Sequence, residues 1–184
     1  ISDLEVAQRE VNSKLYHIKY PIEGINEFIT IATTRPETML GDTAVAVNPK
    51  DKRYKKVLGK NVTLPLVGRK IKIITDEYVD PNQGTGAVKI TPAHDFNDYK
   101  VGVRNKLKIL NVFTEEGKIN KNAPTEYIGL DRFDARRKIL QDLSTKGLLA
   151  KEENIINKVP YGDRSNSVVE PFLTEQWFVD AKKL

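Results

Sequence analysis

Lys89, Thr91, His94, Asp95 and Asp98 crowd one short run, Gly84-Thr85-Gly86-Ala87-Val88-Lys89-Ile90-Thr91-Pro92-Ala93-His94-Asp95-Phe96-Asn97-Asp98. If Ala87 to Thr91 is a strand, Lys89 and Thr91 project from the same face, because side chains alternate. Pro92 ends that strand. Asp95 has the type and place of a helix N-cap, with Asp98 three residues on as in a capping box. Both carboxylates then sit on a first helical turn, where backbone N–H groups stabilise ionised acids. One ammonium, one hydroxyl, two carboxylates and an imidazole form a small polar pocket suited to a zwitterionic or ammonium-bearing ligand. Each residue alone has a plainer use: Asp95 and Asp98 as a cap, Lys89 on a strand surface, His94 in a turn. A cap, however, needs no lysine and threonine on the strand before it.

A second stretch is Ala32-Thr33-Thr34-Arg35-Pro36-Glu37-Thr38-Met39-Leu40-Gly41-Asp42. A strand ends in two threonines, and Pro36 keeps Arg35 out of helical conformation. The plain reading is a strand exit with a salt-bridged arginine. The functional one is a convergence of hydroxyls and a guanidinium suited to ribose or phosphate.

Other chemistries fit poorly. The chain has no cysteine, which removes disulfides, thiolate metal sites and cysteine nucleophiles. It has two histidines, His17 and His94, and no serine beside His94 in sequence. Gly84-Thr85-Gly86 lacks the length and the lysine–serine pair of a phosphate loop.

The elements that must position these residues read mostly as strands in the first half. Lys14 to Tyr20, Glu27 to Thr34, Thr43 to Val47, Lys70 to Thr75 and Ala87 to Thr91 alternate or are rich in β-branched residues. Asp51 to Leu58 suggests a short helix. A helix should run from Asp95 to about Leu107, then a strand from Lys108 to Phe113. Asp131 opens a helix whose apolar stripe is Ala135, Ile139, Leu140 and Leu143, stopped by Gly147. Beyond Leu148 the chain reads as extended, with turns at Gly162 and near Asn166. Strands outnumber helices without alternating regularly with them. The fold class expected is therefore α+β and strand-rich, a barrel or mixed sheet with peripheral helices.

Composition sets the outer bounds. The 184 residues include 30 Lys+Arg against 25 Asp+Glu, a net charge of +5, with 39% hydrophobic residues. That is ample for one globular core and too apolar for a disordered chain. No apolar run approaches the roughly 20 residues of a membrane helix, so no membrane partner is expected. Lys50, Lys52, Arg53, Lys55 and Lys56 gather in one stretch, either a solvated face or a phosphate-contacting edge. The chain starts at Ile1-Ser2-Asp3 and ends close to Gln176-Trp177-Phe178-Val179, so a domain cut from a larger protein is expected.

Thr33 to Val47 and Gly84 to Asp98 closely resemble the editing domain of class I aminoacyl-tRNA synthetases, in the wording of the valyl-tRNA synthetases. The resemblance continues through Gly129-Leu130-Asp131-Arg132-Phe133 and Val168-Val169-Glu170-Pro171-Phe172-Leu173-Thr174-Glu175-Gln176-Trp177-Phe178-Val179. Lys89-Ile90-Thr91-Pro92-Ala93-His94-Asp95 favours the valine family over its isoleucine and leucine relatives, in which the residues around Lys89 differ. Gln83 departs from the aromatic residue the family places before the Gly-Thr-Gly turn, a wall that would stack on the terminal adenine.

The resemblance implies a β-barrel core with peripheral helices. It implies one domain over residues 1–184, whose ends (about 1–12 and 160–184) join the catalytic domain of a cytoplasmic, monomeric synthetase. The activity implied is hydrolysis of threonyl-tRNA(Val) at the 3′ acceptor end, without metal or cofactor. ATP-site signatures of the parent enzyme are absent from the chain. Asp98 would hold the substrate's ammonium; Lys89, Thr91 and Asp95 would read the side-chain hydroxyl and carbonyl, with His94 beside them. Thr33, Thr34 and Arg35 would position the terminal adenosine. The alternatives are an editing domain of the isoleucyl or leucyl enzyme, or a module that only binds the acceptor end. The valine enzyme is itself the standard example of the underlying difficulty: its hydrophobic activation site rejects threonine by only about a hundredfold.

Overall fold

The computed structural model describes residues 5–173 and residue 179. The terminal stretches of the resemblance, including Thr174 to Phe178, lie outside the described residues, as does most of the apolar segment near the C-terminus. Two sheets make the frame. In one, β1 (Val6–Pro21) is central between β2 (Phe28–Thr33) and β7 (Leu149–Gly162), all antiparallel. In the other the order is β4 (Asn61–Thr63), β5 (Lys70–Thr75), β3 (Ala44–Val47) and β6 (Ala87–Ile90), with β3 and β5 parallel. Two helices, α1 (Phe96–Arg104) and α2 (Arg132–Thr145), lie outside them.

The strand-rich α+β expectation is met, and the barrel is corrected. Among the described residues the sheets are joined through a single bridge between Ile22 and Val62, and they do not close. β4 has three residues, too few to carry pairing around to the other sheet.

Four consecutive apolar residues in β3 are buried on both faces of the strand. Val45 and Val47 enter the main core with Ile18, Tyr20, Ile31, Met39, Leu40 and Ile73. Ala44 and Ala46 face the smaller cluster of Ile90, Val79 and Val101, where α1 docks. Alternation alone forces this division. On α2, Ala135, Ile139 and Leu143 are the buried stripe, while Leu140 is half-buried. Gly147 ends it at φ +65°, with Leu148 N–H donating to Leu143 carbonyl at 2.9 Å. No helix among the described residues is long and apolar enough to cross a membrane.

Two elements differ from expectation. Asp51 to Leu58 forms only a 3-10 turn at Lys52–Tyr54, from which Val57 enters the main core and Tyr54 packs against it. Lys108 to Phe113 is not a strand: apart from a bridge from Phe113 to Ile119, side chains bond the backbone of its last three residues. Asn120 Nδ2 donates to the carbonyls of Asn111 and Phe113, and Asn122 Nδ2 donates to that of Asn111. β4 has no counterpart in the sequence reading, since three residues are too short to show a period.

Close approach of α1 to the end of β6 rests on a glycine. A Cβ on Gly102 would stand 2.7 and 2.9 Å from the ring of Pro92. Alanine normally favours a helix interior, but here the rigid ring cannot yield. Gly102→Ala is expected to lower stability by about 1–3 kcal/mol, read as a lower urea midpoint at unchanged slope.

Candidate functional site

β6 carries Lys89 inward to a cluster in which every polar group is engaged. Lys89 Nζ donates to Thr91 Oγ1 at 2.6 Å and to Thr38 Oγ1 at 2.8 Å, and lies 3.4 Å from Asp42 Oδ1. Thr91 Oγ1 donates to Asp42 Oδ1 at 2.6 Å, and Tyr20 OH donates to Asp42 Oδ2 at 2.7 Å. Lys89, Thr91, Asp42 and Thr38 are all buried. A buried ammonium and carboxylate persist only when paired and hydrogen-bonded. Burial nevertheless raises the Asp42 pKa, against the pull of Lys89 and its hydrogen bonds.

Asp98 joins this cluster from α1. Its Oδ2 accepts from the Thr91 backbone N–H at 2.9 Å, so the acid sits at the junction of strand and helix. Asp98 does not reach back as a capping-box partner; Asp95 caps the helix alone, accepting from Asn97 N–H at 2.8 Å and Asp98 N–H at 3.1 Å. Burial pushes the Asp98 pKa up to about 6, opposed by Lys89 and the Thr91 N–H and reinforced by Asp95 and Asp42. A buried carboxylate with one protein hydrogen bond and a raised pKa is poised to receive a cation.

Thr33, Thr34 and Arg35 lie at the end of β2, which packs on β6. Thr33 Oγ1 accepts from Arg35 N–H at 3.0 Å, and Thr34 is half-buried at the bend. The Arg35 guanidinium donates to His94 carbonyl at 3.0 Å and pairs with Glu170. Glu37, fully buried, is gripped by Arg136 of α2 at 2.6 and 2.7 Å, and Arg132 pairs with Glu170 at 3.0 Å. Thr38 Oγ1 donates to Arg35 carbonyl while accepting from Lys89. Hydrogen bonds thus run unbroken from Arg35 to Asp42, and the two stretches singled out in the sequence form one site.

His94 is buried, with its ring 4.6 Å from that of Phe113. Its Nε2 accepts from Val112 N–H at 3.0 Å. Burial, then Arg35, lower its pKa to about 3, so the ring is neutral at physiological pH and pins the 108–113 segment. Gln83 is exposed in the turn ahead of β6, whose Gly84 lies against Ala32. Of the basic stretch, Arg53 binds Asp51 and the Pro81 carbonyl, while Lys50, Lys52, Lys55 and Lys56 are exposed.

Sequence reading missed Asp42, Thr38 and Tyr20. Asp42 left one signal: an acid between the buried turn Pro36–Gly41 and the wholly apolar Ala44–Val47 has to be buried and therefore paired.

The model of the "Leucyl-tRNA synthetase, editing domain" family matches residues 56–132. The valine–tRNA ligase of Pelagibacter ubique (strain HTCC1062) is 74% identical over the whole chain, which covers 21% of that protein. Those of Pseudothermotoga lettingae and Legionella pneumophila (strain Lens) are 56% and 54% identical over the whole chain, covering 21% and 20%. The chain thus spans about a fifth of the length of these relatives. Among solved structures, the LeuRS of Agrobacterium radiobacter K84 (agnB2), in a ternary complex with tRNA and LeuAMS, aligns with a TM-score of 0.57. It is 20% identical over 84% of this chain and 21% of that one, a likeness of fold. Identity along all 184 residues is to valine–tRNA ligases, and the family model matched is that of an editing domain: the chain corresponds to the editing-domain stretch of the valyl-tRNA synthetase family.

Proposed function

We propose that the chain hydrolyses the ester of threonyl-tRNA(Val), the product of mistaken charging by a valine–tRNA ligase of which residues 1–184 are one domain. The observation that carries this reading is the buried Lys89–Thr91–Asp42 cluster with Asp98 at its edge. Asp98 receives the α-ammonium of the aminoacyl group. The 3.4 Å contact from Lys89 to Asp42 is the loosest of the three the ammonium makes, and a substrate hydroxyl can share that proton. Thr91 Oγ1 keeps a lone pair for the same hydroxyl, and Asp95 faces the carbonyl region. Valine would press a methyl group against these dipoles and return no hydrogen bond, at a cost of about 1–3 kcal/mol.

Thr33, Thr34 and Arg35 position the terminal adenosine from β2, and His94 holds the wall behind them. Gln83 offers an amide at the position where the resemblance implies an aromatic ring stacking on the adenine. No side chain at the site is an activated nucleophile, so water attacks the ester, and catalysis is positioning and electrostatics. The partners are the tRNA acceptor end and the rest of a monomeric, cytoplasmic synthetase, joined through residues near 1–12 and 160–184.

The test is deacylation of threonyl-tRNA(Val) and valyl-tRNA(Val), first by the chain at high concentration and then within the full synthetase. Release of threonine at least tenfold faster than valine is expected. Stability of both esters in both settings would overturn the reading and leave an acceptor-end binding module.

A further inference from the structure

Next to the Leu40 and Asp42 carbonyls, which Arg69 binds, lies a cavity of about 460 Å³, lined by Thr43, Arg69, Lys70, Lys108, Leu110 and Asn122 among others. Its charge is of one sign: three cations line it and no carboxylate does. Lys70 pairs with Glu23, which stands outside the lining, and Lys108 forms no ion pair among the described residues. Arg69 is fixed rather than mobile, since its Nη2 donates to the carbonyls of Leu40 at 3.0 Å and Asp42 at 2.8 Å. Arg69 Nε and Thr43 Oγ1 are buried behind the wall, so the cleft presents the exposed ammonium groups of Lys70 and Lys108 and the remainder of the Arg69 guanidinium.

We propose that this cavity is a binding site for a phosphate group, separate from the ester site. The clamped Arg69 guanidinium, the second N–H of the Asn122 amide and the flexible ammonium groups of Lys70 and Lys108 supply donors around one cleft. A tetrahedral oxyanion has acceptors enough for them, and guanidinium matches it in geometry as well as charge. The phosphate can come from an RNA backbone or from a free anion; the chemistry recognised is the same. Nothing here depends on turnover at the Lys89 cluster.

The test is a nitrogen-15 NMR titration of the whole chain with inorganic phosphate, at ionic strength held constant with chloride. Saturable shifts at Thr43, Asn122 and the Arg69 Nε–H are expected in the millimolar range. Lys108→Ala, an exposed change that leaves the core untouched, should weaken binding about tenfold, whereas Lys56→Ala should not alter it. A parallel titration with a short single-stranded RNA identifies the source. Shifts at the same residues, reversed by inorganic phosphate, mean a backbone phosphate; shifts with inorganic phosphate alone mean a free anion. The absence of saturable shifts, or equal weakening by Lys108→Ala and Lys56→Ala, would overturn the proposal.

Discussion

Asp98→Asn is expected to slow deacylation of threonyl-tRNA(Val) by about a hundredfold while making the protein more stable at pH 8. The two effects share one cause. Burial raises the Asp98 pKa from 3.8 to about 6, so its ionised form is disfavoured in the folded chain. A group whose folded pKa lies above the unfolded one gives up stability as pH rises through the folded value. Asp98 therefore costs on the order of 2–3 kcal/mol above pH 6, a cost that vanishes below about pH 4. Asparagine keeps an oxygen to accept from Thr91 N–H and carries no charge to desolvate. The stability gap between variant and wild type should open between pH 4 and 6, visible in urea midpoints. Over the same window wild-type kcat/KM should fall as pH drops, because only the carboxylate holds an ammonium. An equally active Asp98→Asn, or a stability gap independent of pH, would count against a buried anionic anchor.

Lys89→Met is expected to be the most destabilising single change at the site, by about 3–5 kcal/mol. Methionine fills most of the volume but leaves the Asp42 carboxylate buried against Thr91 and Tyr20 without its cation. Much of that loss should return when Asp42→Asn is added, since the uncompensated charge is then gone. The double variant separates folding from function. Restored stability with deacylation still absent places Lys89 in substrate reading; restored deacylation makes the lysine a support for Asp42 alone. Thermal melts and single-turnover deacylation on the three variants give both readouts.

Local elements around the site were legible wherever one physical signal dominated. Lys70 to Thr75 alternates charge against isoleucine and is a strand over those residues; Asp95 and Asp131 cap helices as their type demands. Lys89 and Thr91 share a face because a strand has period two, and they are hydrogen-bonded to each other. What was hidden depends on contacts far apart in sequence. The Asp42–Thr91 bond spans 49 residues and Glu37–Arg136 spans 99, and no local pattern announces either. Lys108 to Phe113 looked like a strand from its apolar content, yet strand formation needs an edge to join, and asparagine side chains bond the carbonyls of Asn111 and Phe113 instead. Closure of the sheets likewise turns on the brevity of β4, a tertiary matter that residue types around Val62 do not encode. The valine family itself was legible through long matched runs rather than through physics.

The most direct measurement is a crystal structure of the chain with threonyl-adenosine whose ester is replaced by an amide, which water cannot cleave. The α-ammonium is predicted within hydrogen-bond distance of the Asp98 carboxylate, the side-chain hydroxyl against Lys89 Nζ and Thr91 Oγ1, and the adenosine along Thr33 to Arg35. An analogue bound with its amino group away from Asp98 and its side chain in solvent would contradict the assignment of this cluster as the site that reads threonine.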